Sequence, residues 1–313
     1  MNIFDYFIPK ELLIAFSVIF GVLIICSVAF RIWHSRTKKE FQKELIVRVD
    51  SWWKIVAGVT LVTVGPSWMG IILIAYVSFV ALREMMSIGR LRSSDRLAML
   101  FCYLAIPVQY YLIHINSFYG SLIFIPLIMF ATIAIVLVLT GDTELIGRSM
   151  SILPAMLMLT VFFLSHLAFL YNVPTAPKSA GSGGLILFVI GLTAFNDVFQ
   201  FTCGKLFGKH KILPKISPNK TWEGFIGGIL LTATTAFAIQ VLTPLEGWQA
   251  FLMGLSIGIV GFLGDVLISA IKRDLKLKDT SDLIPGHGGA MDRLDSIVFT
   301  APLFFHLLIL FLK

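Results

Sequence analysis

Residues 278–296 read KDTSDLIPGHGGAMDRLDS. Four aspartates, a Lys, an Arg and a His set among glycines crowd into this stretch, yet the runs on either side, 248–271 and 296–312, are among the most apolar in the chain. That alternation recurs along all 313 residues. Mean hydropathy is +0.89 and only 14% of residues are charged, against about a quarter in a soluble domain. The longer apolar runs are of a length that crosses a hydrocarbon core of roughly 30 Å. Lipid offers the backbone no partners, so such runs must be helices. The expected fold class is therefore all-α: a polytopic transmembrane helical protein with about 9–10 spans and short loops.

The spans are expected near 12–30, 53–64, 68–82, 97–113, 120–140, 151–172, 184–206, 223–243, 248–271 and 296–312. The second and third are short and meet at Gly65-Pro66-Ser67, which fits two thin crossings, a re-entrant hairpin or one broken helix. The first is read as a retained span, because the segment before it is not basic and no small-residue cleavage pattern follows. Segments 31–54, 83–96, 141–150, 205–222 and 272–295 hold 22 of the 25 Lys and Arg residues. The bias of Lys and Arg toward the cytoplasm puts these five segments on one side and both termini on the other. That assignment needs 53–82 to enter and leave on the same side, which favours the hairpin. Cys26, Cys102 and Cys203 lie in apolar contexts with no ligand spacing and read as buried small hydrophobes. No compact basic domain with interleaved aromatics is present, so nucleic acid is not expected as a partner.

Ionisable groups inside spans are costly and mark candidate sites. Asn196-Asp197 falls within 184–206 and Asp265 within 248–271. His166 and His306 are also within spans and read as packing residues. Asp265, Ser269 and Lys272 share one helix face at spacing i, i+4, i+7, which ends at Arg273. If the last helix starts near Asp292, then Asp292 and Asp295 point from its first turn. With Asp265 they form a hard oxygen cage suited to Mg²⁺. Gly286, Gly288 and Gly289 around His287 let backbone N–H groups approach an anion. A second polar segment, Gly204 to Gly224, carries five lysines, Lys220 among them, with Ser217-Pro218 and Thr221. Glycines 224, 227, 228, 254, 258, 261 and 264 permit close helix packing. Two basic loops and membrane-level aspartates at one surface suit a substrate with several phosphates, a divalent cation and a second substrate that resides in lipid.

The stretch SAIKRDLKLKDTSDLIPGHGGAMDRLD, residues 269–295, resembles the signature of the phosphatidate cytidylyltransferase (CDP-diacylglycerol synthase) family. SPNKTWEG at 217–224 resembles that family's other motif. The resemblance spans about 185–296 and is vague before it. It implies CTP and phosphatidate as substrates, CDP-diacylglycerol and pyrophosphate as products, and Mg²⁺ as cofactor, with a second metal or a monovalent cation left open. By that likeness Asp265, Asp292 and Asp295 hold the metal. Lys220, Lys272, Arg273, Lys278 and Arg293 contact phosphates. Ser217, Thr221, Ser269 and the His287-Gly288-Gly289 backbone shape the nucleotide site. Asp279 orients Lys278 or joins the metal shell, and Asn196 and Asp197 floor the site. Residues 1–183 would build a lipid groove and 184–313, with loops 205–222 and 272–295, the catalytic region. The setting implied is a bacterial inner membrane with the site on the cytoplasmic side. Membrane lipids and a second copy of the chain are further candidate partners. Two other readings stay open: a cytidylyltransferase for an isoprenoid or ether lipid phosphate, and an ion-coupled transporter using Asp197 and Asp265.

Overall fold

The computed structural model describes residues 8–313 except 38–39, 175–178, 282 and 284–287, and side chains outside these and outside 37 and 40–44. Among the described residues, eight helices are long and apolar enough to cross a membrane: α1 (Lys10–Arg36 of a helix running to Thr37), α3 (Ser67–Ile88), α4 (Ser93–His114), α5 (Phe118–Leu139), α6 (Ile146–Asn172), α7 (Gly181–Phe207), α9 (Gly247–Asp274) and α10 (Met291–Phe311). Two more run beside them: α2 (Glu40–Val64), whose first half is charged, and α8 (Trp222–Ala238), which is 17 residues long. The all-α expectation holds. The one addition is a small antiparallel hairpin, β1 (Lys211–Leu213) with β2 (Ser217–Thr221), inside the second polar segment.

The segment around Gly65 resolves as two helices of 25 and 22 residues, α2 and α3, joined at Gly65-Pro66. At 1.5 Å per residue each is long enough to span the core. Sequence hydropathy shortened α2 because charges at 40–54 dilute its first half. Arg31 pairs with Asp50 at 2.9 Å and Trp53 Nε1 donates to Ser27 Oγ, so α1 and α2 run antiparallel. Tyr171 OH donates to the Val62 carbonyl, and Pro9, Ser67, Tyr171 and Gly181 line one small cavity. The turn after α2 therefore sits at the end of the molecule that holds the start of α1 and the start of α7.

The opposite end gathers the basic segments. Arg92 grips Asp95 at 2.8 Å and donates to the backbone carbonyls of Asp142 and Glu144, while Ser149 Oγ donates to Asp95. The α3–α4 link is thereby clasped to the α5–α6 link. The Asp142 carboxyl is held below its ordinary range, chiefly by the Ser94 hydroxyl at 2.7 Å, then by the Glu144 amide. On the same end Arg273 Nε donates to the Ile216 carbonyl at 3.3 Å, tying the last turn of α9 to the β-hairpin.

Close packing of α7, α8 and α9 sets the site's depth. A Cβ at Gly254 would strike the backbone of Ala233, and one at Gly258 would press on Ile229. Glycine there lets α8 and α9 approach as the sequence spacing suggested. His166 is buried, bonded through Nδ1 to the Phe162 carbonyl at 2.9 Å and packed on Phe169 and Phe305, a packing role as expected.

The topology can be checked by labelling. In a chain with Cys26, Cys102 and Cys203 replaced, a cysteine at Ser67 and one at Lys215 are expected to react with an impermeant maleimide from opposite sides of sealed vesicles. Labelling of both from one side contradicts the α2–α3 hairpin.

Candidate active site

Lys220 leaves the end of β2 and enters the boundary between α7, α8 and α9. Thr221 fixes this entry: its side chain caps α8 by accepting from the Gly224 N–H at 3.2 Å. Lys220 Nζ lies 2.6 Å from Asp265 Oδ2 and 4.4 Å from the centre of the Phe262 ring. The ammonium is thus held by a carboxylate and an aromatic face together. Around it lies a cavity of about 200 Å³. Its lining mixes polar residues, Asp197, Ser217, Asn219, Thr221 and Asp265, with the aromatic rings of Phe201, Phe225 and Phe262.

Three carboxylates meet at this depth. Asp197 accepts from Ser296 Oγ at 3.2 Å, Asp265 accepts from Ser269 Oγ at 3.1 Å, and Asp295 accepts from the Ser296 N–H at 2.8 Å. Asp197, Asp265 and Asp295 lie near enough to repel one another, with Lys220 and Arg293 offsetting Asp197 and Lys272 offsetting Asp295. Among the described residues no three His, Cys, Asp or Glu side chains converge on a single point.

Asp292 stands apart from that group. It was expected beside Asp265 and Asp295 as a third metal ligand. Its Oδ1 instead accepts from Lys272 Nζ at 2.7 Å, and its Oδ2 accepts from Thr280 N and Gly289 N at 2.8 and 2.9 Å, with Thr280 Oγ1 also 2.9 Å away. The first turn of α10 turns Asp292 into the loop, where amides and an ammonium saturate it. Asp292 is thus engaged by its own loop, and Asp197 is the acid that lies near Asp265 and Asp295.

The remaining candidates divide. Lys272 is nearly buried in its pair with Asp292. Arg273 donates to the carbonyls of Ile216 and Leu277. Lys278, Asp279 and Arg293 are exposed at the same end. Gly288 has φ +79°, a conformation glycine adopts without strain, and a Cβ there would press on Asp292 Oδ2. Asn196 does not face the cavity: buried, it accepts from Gln200 Nε2 at 3.0 Å and Thr232 Oγ1 at 3.2 Å, pinning α7 to α8. His287 lies outside the described residues.

One residue has no counterpart in the sequence reading. Glu84, near the end of α3, is 6% exposed and accepts from Thr280 Oγ1, Ser281 Oγ, Ala290 N and Met291 N. In sequence it is one acid beside Arg83 at the edge of a span, which resembles any solvated flank.

The chain also matches a known family. A model of the cytidylyltransferase family matches residues 46–311. The chain belongs to the cytidylyltransferase family. The match covers α2 to α10 and so includes both polar segments. The chain is 40% identical over 291 residues to an uncharacterised Escherichia coli K-12 protein, YnbB, covering 93% of this chain and 96% of that one. It is 42% identical over 126 residues to a phosphatidate cytidylyltransferase of Mycobacterium leprae, and 44% over 121 residues to one of Aquifex aeolicus. These two alignments cover 40% and 39% of this chain, and 40% and 45% of those enzymes.

The two kinds of aspartate should separate on substitution. Asp292→Asn leaves Lys272 facing a neutral group in a nearly buried place and is expected to cost about 3 kcal/mol of stability, read as a lower thermal midpoint in detergent micelles. Asp295→Asn removes a like-charge repulsion and is expected to keep the midpoint at or above that of the parent chain. A fall in both would refute the division.

Proposed function

We propose that this member of the family transfers the cytidylyl group of CTP to phosphatidate, giving CDP-diacylglycerol and pyrophosphate, on the cytoplasmic side of a bacterial inner membrane. The observation that carries the reading is the cavity in which Lys220, paired to Asp265, sits against Phe262 with Phe201 and Phe225 also in the lining, so that charge and apolar surface are offered together. A lipid phosphate is an amphiphile, and such a cavity at a membrane boundary matches its two halves. The density of Lys and Arg at this end supports the cytoplasmic assignment.

In the proposed reaction a phosphate oxygen of the lipid attacks the α-phosphorus of CTP. A new O–P bond forms, the bond from that phosphorus to the bridging oxygen of the β-phosphate breaks, and pyrophosphate leaves with the electron pair. A phosphate monoester has its second pKa near ~6, so the nucleophile is largely ionised near neutral pH. No protein nucleophile is needed. The obstacle is the meeting of two polyanions, which is overcome by charge compensation and alignment. Lys220 would receive the lipid phosphate above the phenylalanines. Arg293 and Lys278, exposed at the rim, would meet the triphosphate. Lys272, nearly buried against Asp292, adds positive potential at Asp295. Arg273 holds the hairpin to the last turn of α9, which keeps Ser217 and Thr221 beside the acids.

Mg²⁺ is the cation proposed because Asp197, Asp265 and Asp295 offer hard oxygens; as they stand the three do not meet at one point, so a bound ion would have to draw them together. Asp265 and Asp295, with Asp197, would hold it. When bound it would neutralise phosphate charge and assist departure of pyrophosphate.

The aspartates sit near one membrane face and beside a lysine-rich hairpin, an arrangement better suited to phosphate chemistry than to ion-coupled transport at the midplane. The purified chain with CTP, Mg²⁺ and phosphatidate is expected to release pyrophosphate and form CDP-diacylglycerol, and Asp265→Asn to lower that rate about 100-fold or more. Turnover with a polyprenyl phosphate but not phosphatidate would redirect the lipid assignment. Flux across proteoliposomes without CTP would overturn the enzyme reading.

A further inference from the structure

We infer that Glu84, on α3, is a positioning residue for nucleotide binding: it fixes the loop between α9 and α10 and, through that loop, the ammonium of Lys272. This rests on the cytidylyl-transfer reading above. The network is explicit. Oε1 of Glu84 accepts from Thr280 Oγ1 and from Met291 N at 3.1 Å. Oε2 accepts from Ser281 Oγ at 3.0 Å and Ala290 N at 2.8 Å. These partners lie 196 to 207 residues away in sequence. They flank the loop on both sides, so one carboxylate closes it like a clasp. Thr280 passes the constraint on: its hydroxyl donates to Glu84, its amide donates to Asp292 Oδ2 at 2.8 Å, and its Oγ1 packs 2.9 Å from that same oxygen. Asp292 Oδ1 in turn accepts from Lys272 Nζ at 2.7 Å. The chain of contacts runs Glu84, Thr280, Asp292, Lys272.

A carboxylate is the group this place needs. Four donors converge on it, two of them backbone N–H groups that cannot reverse polarity. Glutamine has one oxygen, so its amide NH₂ would face either the Ala290 or the Met291 N–H. Aspartate is one methylene shorter and would not span both sides of the loop. Glycine at 289 is part of the same fit, since a Cβ there would run into the Glu84 carboxylate and the Thr280 hydroxyl. The cavity wall made by Phe201, Phe225 and Phe262 belongs to α7, α8 and α9 and has no contact in this chain of bonds. Loss of Glu84 should therefore weaken the grip on the triphosphate while leaving the lipid side intact.

The test uses the full chain in detergent micelles. Glu84→Gln is expected to lower kcat/KM for CTP about tenfold or more through KM, with KM for phosphatidate within twofold of the parent value. Thr280→Val should reproduce that defect and Thr280→Ser should not. The double variant Glu84→Gln/Thr280→Val should be no worse than the poorer single one, since both break one network. Independently of activity, the amides of Thr280, Gly289, Ala290 and Met291 should exchange hydrogen faster in Glu84→Gln, with α4 and α5 unchanged. Equal rises in both KM values, additive defects, or unchanged exchange at those four amides would overturn the assignment. If Glu84→Gln does not fold, the two Thr280 variants carry the same comparison. A parent chain that makes no CDP-lipid from CTP would sink the reaction reading, while the exchange experiment would still decide whether Glu84 holds the loop.

Discussion

Lys272 and Asp292 are oppositely charged, nearly buried and 2.7 Å apart, and the basic end of the molecule is arranged around keeping them so. Neither charge is tolerable there alone, because an uncompensated ion at low dielectric costs several kcal/mol, about 3–5 when one partner is removed. The pair alone does not satisfy Asp292, whose second oxygen needs donors of its own. Thr280 and Gly289 supply them, and both must be delivered by a loop that doubles back on the start of α10. The positive φ of Gly288 makes that return feasible. One ion pair thus dictates where Thr280 and Gly289, near the two ends of the segment richest in chemistry, are held.

The loop cannot hold that path by itself, and the N-terminal half intervenes. Glu84 on α3 receives both flanks of the loop, and α3 is in turn clasped through Arg92 and Asp95 to the α5–α6 link. A membrane helix bundle has little hydrophobic drive between its helices, so specificity of packing falls to small residues and hydrogen bonds. Here both operate. Glycines 254 and 258 bring α8 against α9, while Asn196, braced by Gln200 on its own helix, accepts from Thr232 across to α8. The first gives closeness and the second gives register, and together they set Asp197 and Asp265 at one depth.

Much of this was legible in the sequence because membrane physics leaves few choices. Apolar runs had to be helices, and the Lys and Arg distribution grouped 205–222 with 272–295 at one end, where Arg273 and Ile216 indeed touch. The close approach of Asp265 to Asp295 followed from their positions at the facing ends of consecutive spans. Three features did not show. α2 was read as too short, because charges at 40–54 mask a helix that continues through them. The β-hairpin carries no apolar alternation in SPNKT to announce a strand. Glu84 was invisible for a different reason: its role depends on partners about 200 residues away, and a single glutamate at a span edge has no local pattern. The surroundings of Asp292 are equally silent in sequence, since a carboxylate at a helix start looks alike whether it faces a metal or its own loop.

That last confusion points to how the acids of such a site can be sorted. Glu84 and Asp292 are surrounded by amides, hydroxyls and, for Asp292, an ammonium; every oxygen has donors from the chain itself. The others receive fewer: a hydroxyl for Asp197, a hydroxyl and the Lys220 ammonium for Asp265, and one amide for Asp295, and the three lie near enough to repel one another. A carboxylate saturated by its own fold is fixed and contributes shape. Carboxylates with few donors and like-charged neighbours are the ones an incoming cation would relieve. Folding therefore works against the second group and binding works for it, and the first group supplies the rigidity that keeps the second from relaxing apart. The division of labour follows from counting donors around each oxygen, a property that no spacing of aspartates in a sequence contains.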